Sequence, residues 1–192
     1  MGDNNVINTK NRDTKRRRTG IYAFGAVVAF FLILLDQGTK YLAVVRLKDQ
    51  APFVLISGVF ELHYLENRGA AFGVLQGKKV FFIFVTILMI VLLTYIFGRI
   101  PMERRFYPLH GICIALFAGA IGNFIDRVTH NYVIDFFYFS LIDFPIFNVA
   151  DIYVTCAMAL FILLFLFFYK DTDLDRLSAL VLPWKKHGVS KS

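Results

Sequence analysis

Four long apolar stretches limit what this 192-residue chain can fold into more than any other feature. They cover residues 21–45, 80–98, 107–127 and 148–169, and each is near the ~20 apolar residues that a helix needs to cross a bilayer. A backbone in lipid must satisfy its own polar groups, so each stretch is predicted to be helical. Only 18% of the residues are charged, whereas soluble domains average about 25%. We therefore predict an all-α membrane protein built on a four-helix transmembrane bundle.

The Lys and Arg residues predict the orientation of this bundle. Of the 21 in the chain, six lie in residues 1–20, three between the second and third stretches, and five in residues 170–192. The positive-inside rule places these segments, and with them both termini, in the cytoplasm. Residues 1–20 and 170–192 are predicted to be flexible cytoplasmic tails around a single domain over residues 21–169. The first stretch is too long for a signal peptide and no small-residue cleavage site follows it, which indicates a retained span.

The two longer connections face outward in this topology. Residues 59–65 and 132–139 within them are rich in β-branched and aromatic residues and are bounded by turn-forming residues. This pattern favours short strands. We expect a small extracytoplasmic β-sheet beside the helical bundle.

Polar residues gather near the outward ends of the predicted spans. Ionisable side chains at membrane depth are costly and usually face a cavity or a partner. The i,i+4 spacing of Asp36 and Lys40 predicts a pair on one helix face, and Asp126 is expected to be held by its neighbours Arg127 and Asn123. Such pairs are also consistent with structural clasps between helices, which contribute about 1 kcal/mol each. The full set is Asp36 and Lys40 in the first span, Asn123, Asp126 and Arg127 in the third, Asp135 in the next connection, and Asn148 and Asp151 in the fourth.

No basic residue lies three or four positions from Asp135 or Asp151, whereas Asp36 has Lys40 four positions on. Two carboxylates close together in a site of low dielectric share one proton, since both cannot ionise cheaply. The charged member can then activate a water while the neutral member protonates the leaving group. The pair therefore favours an aspartic peptidase over a structural role.

Two other functions remain open at this level. A small proton- or ion-coupled transporter would use Asp36, Asp135 and Asp151 as a relay, although the second span has no charged residue. A scaffold would tolerate the loss of Asp135 and Asp151, and the small residues at 119–122 favour tight helix packing. Nothing in the sequence indicates nucleic-acid recognition. No set of His, Cys and carboxylate residues has the spacing of metal ligands, so we expect no metal and no cofactor.

Five strings, in this order, resemble the motifs of the bacterial lipoprotein signal peptidase family, also called signal peptidase II. They are Asp36-Gln37-Gly38-Thr39-Lys40, Asn67-Arg68-Gly69-Ala70-Ala71-Phe72-Gly73, Gly119-Ala120-Ile121-Gly122-Asn123-Phe124-Ile125-Asp126-Arg127, Val133-Ile134-Asp135-Phe136 and Phe147-Asn148-Val149-Ala150-Asp151. The resemblance runs from Asp36 to Asp151 and includes the four-span topology.

The resemblance implies an intramembrane aspartic endopeptidase of the bacterial cytoplasmic membrane, with its active site toward the outer leaflet. Such enzymes cut the signal peptide from a prolipoprotein before the cysteine that carries a diacylglyceryl group. The implied partners are this lipid-modified substrate, membrane lipids and globomycin-type inhibitors, with no obligate protein partner. The implied catalytic pair is Asp135 and Asp151, with Asn67, Asn123, Arg127 and Asn148 ordering the site and the substrate, and Asp36, Lys40, Asp126 and Gly69 supporting it.

Overall fold

A computed structural model of the chain describes residues 2–69 and 78–181. In this part of the chain, four helices are long and apolar enough to cross a membrane, and a three-stranded antiparallel sheet accompanies them. The predicted fold class, a four-helix membrane bundle with a small sheet, is confirmed. The helices are α1 (Gly2–Leu47), α2 (Lys79–Arg99), α3 (Tyr107–Thr129) and α4 (Val149–Leu163), which continues as a π-helical turn over Leu164–Phe168.

Helix α1 extends far beyond its apolar stretch. It begins at Gly2, so residues 2–20 of the predicted tail continue the first helix. No proline precedes the stretch, and basic side chains such as those at 15–18 are good helix formers. The Arg18 guanidinium also donates to the carbonyl oxygen of Gly98 at 2.8 Å, which joins α1 to the end of α2.

The strands lie at one end of the bundle, here called the sheet end. They are β1 (Phe53–Ile56), β2 (Phe60–Asn67) and β3 (Val133–Tyr138), in the order β1-β2-β3. Two of them, β2 and β3, confirm the predicted strands. The sequence pattern missed β1, because four consecutive apolar residues show no alternation. In the β2–β3 register Leu65 faces Asp135 and Asn67 faces Val133, so the end of β2 lies beside Asp135.

The opposite end of the bundle carries a fifth helix, α5 (Asp171–Val181). The prediction of a flexible tail from residue 170 is therefore wrong over this range. The guanidinium of Arg105 contacts Asp173 at 2.6 Å, and that of Arg176 contacts Glu103 at 2.5 Å. Leu174 and Leu177 also pack against the core of the bundle, so one apolar side of the helix drives its docking.

Helix α3 lies at the centre and packs closely on α4. A Cβ atom added to Gly119 would stand 2.7 Å from the carbonyl oxygen of Ala150 and 2.8 Å from Val154. Only a glycine allows this approach of the α3 backbone to α4. Tight packing on α4 is thus the role of Gly119, and it brings Asn123 against the start of α4.

Candidate active site

The first turn of α4 fixes Asp151. Asn148 is the N-cap, and its Oδ1 accepts a hydrogen bond from the Asp151 amide at 3.1 Å. The Asp151 carboxylate in turn accepts from the Asn148 amide at 3.1 Å. This reciprocal capping box satisfies two backbone donors that a helix start otherwise leaves unpaired. The i,i+3 spacing of Asn and Asp in the sequence is therefore the local signal that sets the orientation of the Asp151 carboxylate.

Asp135 reaches the same place from β3. Its side chain is buried and accepts two amide hydrogen bonds, from Asn67 Nδ2 at 2.8 Å and from Asn148 Nδ2 at 2.6 Å. Asn67 is itself fixed, because its Oδ1 accepts from the Gly69 amide at 3.0 Å. Asn148 therefore contacts both candidate catalytic carboxyl groups, Asp135 through its side chain and Asp151 through its backbone.

Asn123 connects this pair to the interior of the bundle. Its Nδ2 donates to Asp151 at 2.9 Å, while its Oδ1 accepts from Lys40 Nζ at 2.9 Å and from Asn148 Nδ2 at 3.1 Å. An amide whose oxygen receives an ammonium hydrogen bond cannot flip without losing it. Lys40 therefore holds the Asn123 amide with its nitrogen toward Asp151.

A buried ion cluster lies behind this amide. Lys40 Nζ contacts Asp36 at 2.9 Å and Asp126 at 3.0 Å, and the three side chains are almost fully buried. The expected pair of Asp36 and Lys40 is thus present. Asp36 also accepts from the Ala150 amide at 2.9 Å, and Asp126 accepts from the Ile134 amide at 3.1 Å. The cluster ties α1 and α3 to the backbone of α4 and β3 next to the two candidate carboxylates.

The expectation that Arg127 holds Asp126 is wrong. Among the described residues Asp126 takes Lys40 as its cation, because adjacent residues on a helix point about 100° apart. The Arg127 guanidinium instead lies over the ring of Phe82 on α2, 4.8 Å from its centroid. Gln37 was missed as a member of the cluster: its Nε2 donates to Asp36 and to Asp126 at 3.1 Å. The only sequence signal for it was its place between Asp36 and Lys40.

A cavity of about 430 Å³ opens at this point, and both Asp135 and Asp151 line it. Asn67, Gly69, Asn123 and Arg127 are also on its wall. The pattern of the sequence did not single out the apolar and small side chains that complete it, which include Phe144, Ile152, Thr155 and Cys156. Ile152, Thr155 and Cys156 extend the cavity along α4 away from the sheet, whereas Phe144 belongs to the connection before α4.

The environment of Asp135 sets its proton affinity. Burial, and after it the negative charge of Asp151, raises the pKa of Asp135 to about 7, although hydrogen bonds from Asn67 and Asn148 act in the opposite direction. A carboxyl group with such a pKa can hold or release a proton near neutral pH. A cavity with two carboxyl groups, one of them readily protonated, can perform general acid–base hydrolysis.

All ten residues predicted for the site lie in or beside this cavity, but they divide into two groups. Six line the cavity: Asn67, Gly69, Asn123, Arg127, Asp135 and Asp151. The other four, Asp36, Lys40, Asp126 and Asn148, are buried behind it and hold its lining in place. The part of the second motif from Ala70 to Gly73 lies outside the described residues.

Fold and site together define a class: a multi-pass membrane protein in which two buried carboxyl groups line one cavity at the sheet end of the helical bundle. Comparison with known proteins then identifies the family. The sequence model described as "Signal peptidase (SPase) II" matches residues 28–167, and the chain belongs to this family of membrane peptidases.

Relatives and solved structures agree with this assignment. A lipoprotein signal peptidase of Streptococcus thermophilus is 42% identical over 138 residues, covering 72% of this chain and 89% of the relative. One of Staphylococcus aureus is 38% identical over 149 residues, covering 77% and 88%. A bacterial membrane enzyme solved by the in meso method at 2.3 Å resolution is similar with a TM-score of 0.68 at 35% identity, over 75% of this chain and 88% of that one. A second, at 1.9 Å, gives 0.66 at 34% identity, over 77% and 95%.

Proposed function

We propose that this chain removes the signal peptide from lipid-modified prolipoproteins as an intramembrane aspartic endopeptidase, with Asp135 and Asp151 as the catalytic pair. One observation carries the assignment of the pair: both carboxyl groups line one cavity and both are hydrogen-bonded to Asn148. Membership of the signal peptidase II family supports the substrate class.

In the proposed mechanism the two carboxyl groups start in different protonation states. Asp151 is ionised and takes a proton from water, whose oxygen attacks the scissile carbonyl. Asp135 is protonated, as its raised pKa of about 7 favours, and donates a hydrogen bond to the developing oxyanion. It then protonates the amine of the leaving peptide. The attack and the proton transfers balance without a covalent enzyme intermediate.

The neighbouring amides keep these roles distinct. Asn67 and Asn148 hold Asp135, and Asn123 holds Asp151, each by a hydrogen bond of 2.6–2.9 Å. Fixed geometry of this kind lowers the reorganisation that the transition state requires. Arg127, which lines the cavity, is placed to bind backbone carbonyls of the substrate.

The location proposed for the site follows from the basic residues. The sheet end faces the outer leaflet and both termini are cytoplasmic, because the Lys- and Arg-rich segments mark the cytoplasmic side. Membrane lipid would then surround the acyl chains of the substrate cysteine, whose transfer to water costs about 0.8 kcal/mol per CH₂. Globomycin-type inhibitors are proposed to occupy the same cavity.

The positions of the polar side chains do not favour a transporter. The ion cluster lies at the sheet end, whereas a second cavity between α2 and α4 at the opposite end exposes no polar surface among the described residues. An ion path needs polar groups through the depth of the bilayer.

The experiment that tests the proposal is cleavage of a purified lipid-modified prolipoprotein by the full-length protein in detergent. We expect a single cut before the lipidated cysteine, inhibited by globomycin. Absence of cleavage together with ion flux in proteoliposomes would replace the peptidase by the transporter.

A further inference from the structure

An apolar groove lies below the candidate active site, at the opposite end of the bundle. It has a volume of about 420 Å³, and its described walls expose no polar surface. The floor is α3, through Leu109, Ile112 and Leu116, and the two sides are α2 and α4. A water-soluble ligand has nothing to bind there, so the natural occupant is an apolar chain.

The apolar groove continues the line of the active-site cavity on α3. Leu109, Ile112 and Leu116 recur at intervals of three and four residues, and Asn123 and Arg127 of the upper cavity follow Leu116 by 7 and 11 residues, about two and three helical turns. Residues so spaced lie on one face of a helix. The same face of α3 is therefore the floor of both spaces.

The sides are continuous in the same way. On α2, Phe82 lies against Arg127 at the upper cavity, and Leu93, Ile96 and Ile100 line the groove below it. The last three positions follow Phe82 by 11, 14 and 18 residues, close to three, four and five helical turns.

Helix α4 shows the same continuity. Asp151 and Thr155 line the upper cavity, and Met158 and Phe165 line the lower one. Successive members of this series are four, three and seven residues apart.

Helix α5 closes the groove at its far end. Leu174, Leu177 and Val181 form part of its lining. The helix is fixed by the ion pairs of Asp173 and Arg176 described above and, at its end, by Tyr95, whose hydroxyl donates to the carbonyl oxygen of Val181 at 3.1 Å. This helix lies outside residues 28–167 that match the family model.

The combined length of the catalytic cavity and the apolar groove fits one kind of occupant. From Asn123, beside Asp151, to Leu109 the floor spans 14 residues, or about 21 Å at ~1.5 Å per residue. The apolar region of a signal peptide has about 7–15 residues, which as a helix measures roughly 10–22 Å. The space between the catalytic pair and α5 thus matches the substrate helix that must lie next to the scissile bond.

We propose that the apolar groove binds one face of the signal-peptide helix and that α5 sets an upper limit on the length of the helix that fits. The inference rests on the proposed function, because the substrate supplies the occupant. The groove is too small for a whole helix, but it accepts the apolar side chains on one face of a helix that lies along its mouth. Continuity with the catalytic cavity favours the substrate over an acyl chain of a membrane lipid, which has no reason to align with the carboxyl pair.

The test uses full-length protein in proteoliposomes and two lipid-modified prolipoproteins that differ only in an apolar region of 13 or 20 Leu and Ala residues. The longer helix exceeds the floor by about 9 Å. We expect kcat/KM for the longer substrate to be about tenfold lower, since each Å of mismatch carries a fraction of a kcal/mol. In Leu177→Ala, which shortens the closing side chain, the ratio of the two kcat/KM values should move toward one.

The matched control is Leu180→Ala, on the same helix but outside the groove lining, which should keep the wild-type ratio. Equal cleavage of both substrates by the wild type, or an unchanged ratio in Leu177→Ala, would overturn the length limit. Either result leaves the proposed function intact, whereas failure to cleave either substrate refutes the proposed function itself.

A cross-linking experiment identifies the occupant directly. A photoreactive benzoylphenylalanine at position 165, on the groove wall, is combined with Asp151→Asn so that the 13-residue substrate stays uncut. We expect a cross-link to the signal peptide. Cross-linking to phospholipid alone, with substrate present at saturation, would show that the groove is a lipid site and overturn the proposal.

Discussion

Replacing Lys40 by Met is the sharpest test of the buried ion cluster. The side chains of Lys40, Asp36 and Asp126 are 1%, 0% and 1% exposed, and the ammonium lies 2.9 and 3.0 Å from the two carboxylates. Met has a similar length but no charge, so two buried acids lose their cation. Removing one partner of a buried ion pair costs about 3–5 kcal/mol. Against a total stability of about 5–15 kcal/mol for a typical domain, this is a large loss.

Unfolding of the purified protein in mixed micelles of increasing SDS content measures the effect. Lys48→Met is the matched control, because Lys48 contacts Glu66 at 3.2 Å with 41% of its side chain exposed, and such surface pairs contribute about 0–1 kcal/mol. Adding Asp36→Asn and Asp126→Asn to Lys40→Met should recover part of the loss. The free energy of unfolding of Lys48→Met should lie within 1 kcal/mol of the wild-type value, which is about the contribution of an exposed ion pair. If that of Lys40→Met does so too, the buried ion cluster does not stabilise the fold as argued.

Three further results are expected. Because the pKa of Asp135 is raised to about 7, its proton is present below that pH and is lost above it, so kcat/KM should fall about tenfold per pH unit on the alkaline side; a flat profile to about pH 9 contradicts this reading. Asn148→Ala removes the helix cap and the amide that holds Asp135, so the stability should fall by about 1 kcal/mol and cleavage by about 100-fold, whereas Asn148→Ser should recover the stability but not the rate. Gly119→Ala forces α3 away from α4 and should lower the free energy of unfolding by about 1–3 kcal/mol, whereas Gly111→Ala, where a Cβ meets nothing within 4 Å, should not destabilise; equal effects of the two would refute the packing argument.

The contacts within a single helix of the site could be predicted from the sequence. Asn148 and Asp151 stand three residues apart because they form one capping box, and Asp36 and Lys40 stand four apart because they share a helix face. Both relations are local, so the period of the helix is enough to predict them.

The contacts between elements could not be predicted in this way. Lys40 reaches Asp126 and Asn123 across 86 and 83 positions of the chain, and only the packing of α1 on α3 makes Lys40, and not Arg127, the cation of Asp126. The second motif ends in residues that the structure does not describe, and the first strand has no alternating pattern.

Helix α5 was not predicted, although its sequence carries a helical pattern. Leu174, Leu177 and Val181 follow one another at three and four residues, which is the signature of an amphipathic helix. The signal was present in a segment that was predicted to be a flexible tail. What its apolar side packs against depends on the shape of the bundle, which the sequence pattern does not contain.

Whether Asp135 and Asp151 are the catalytic pair is tested by cleavage of lipid-modified prolipoprotein. The variants are Asp135→Asn, Asp151→Asn and Asp126→Asn, each first shown to be folded. We expect the first two to lose about 10²–10⁴-fold in kcat/KM, since general acid–base catalysis contributes a factor of this size. Asp126→Asn, whose side chain binds Lys40 and the Ile134 amide outside the cavity, should retain measurable cleavage. Strong residual activity in Asp135→Asn with none in Asp126→Asn would contradict the assignment and make Asp126 the partner of Asp151.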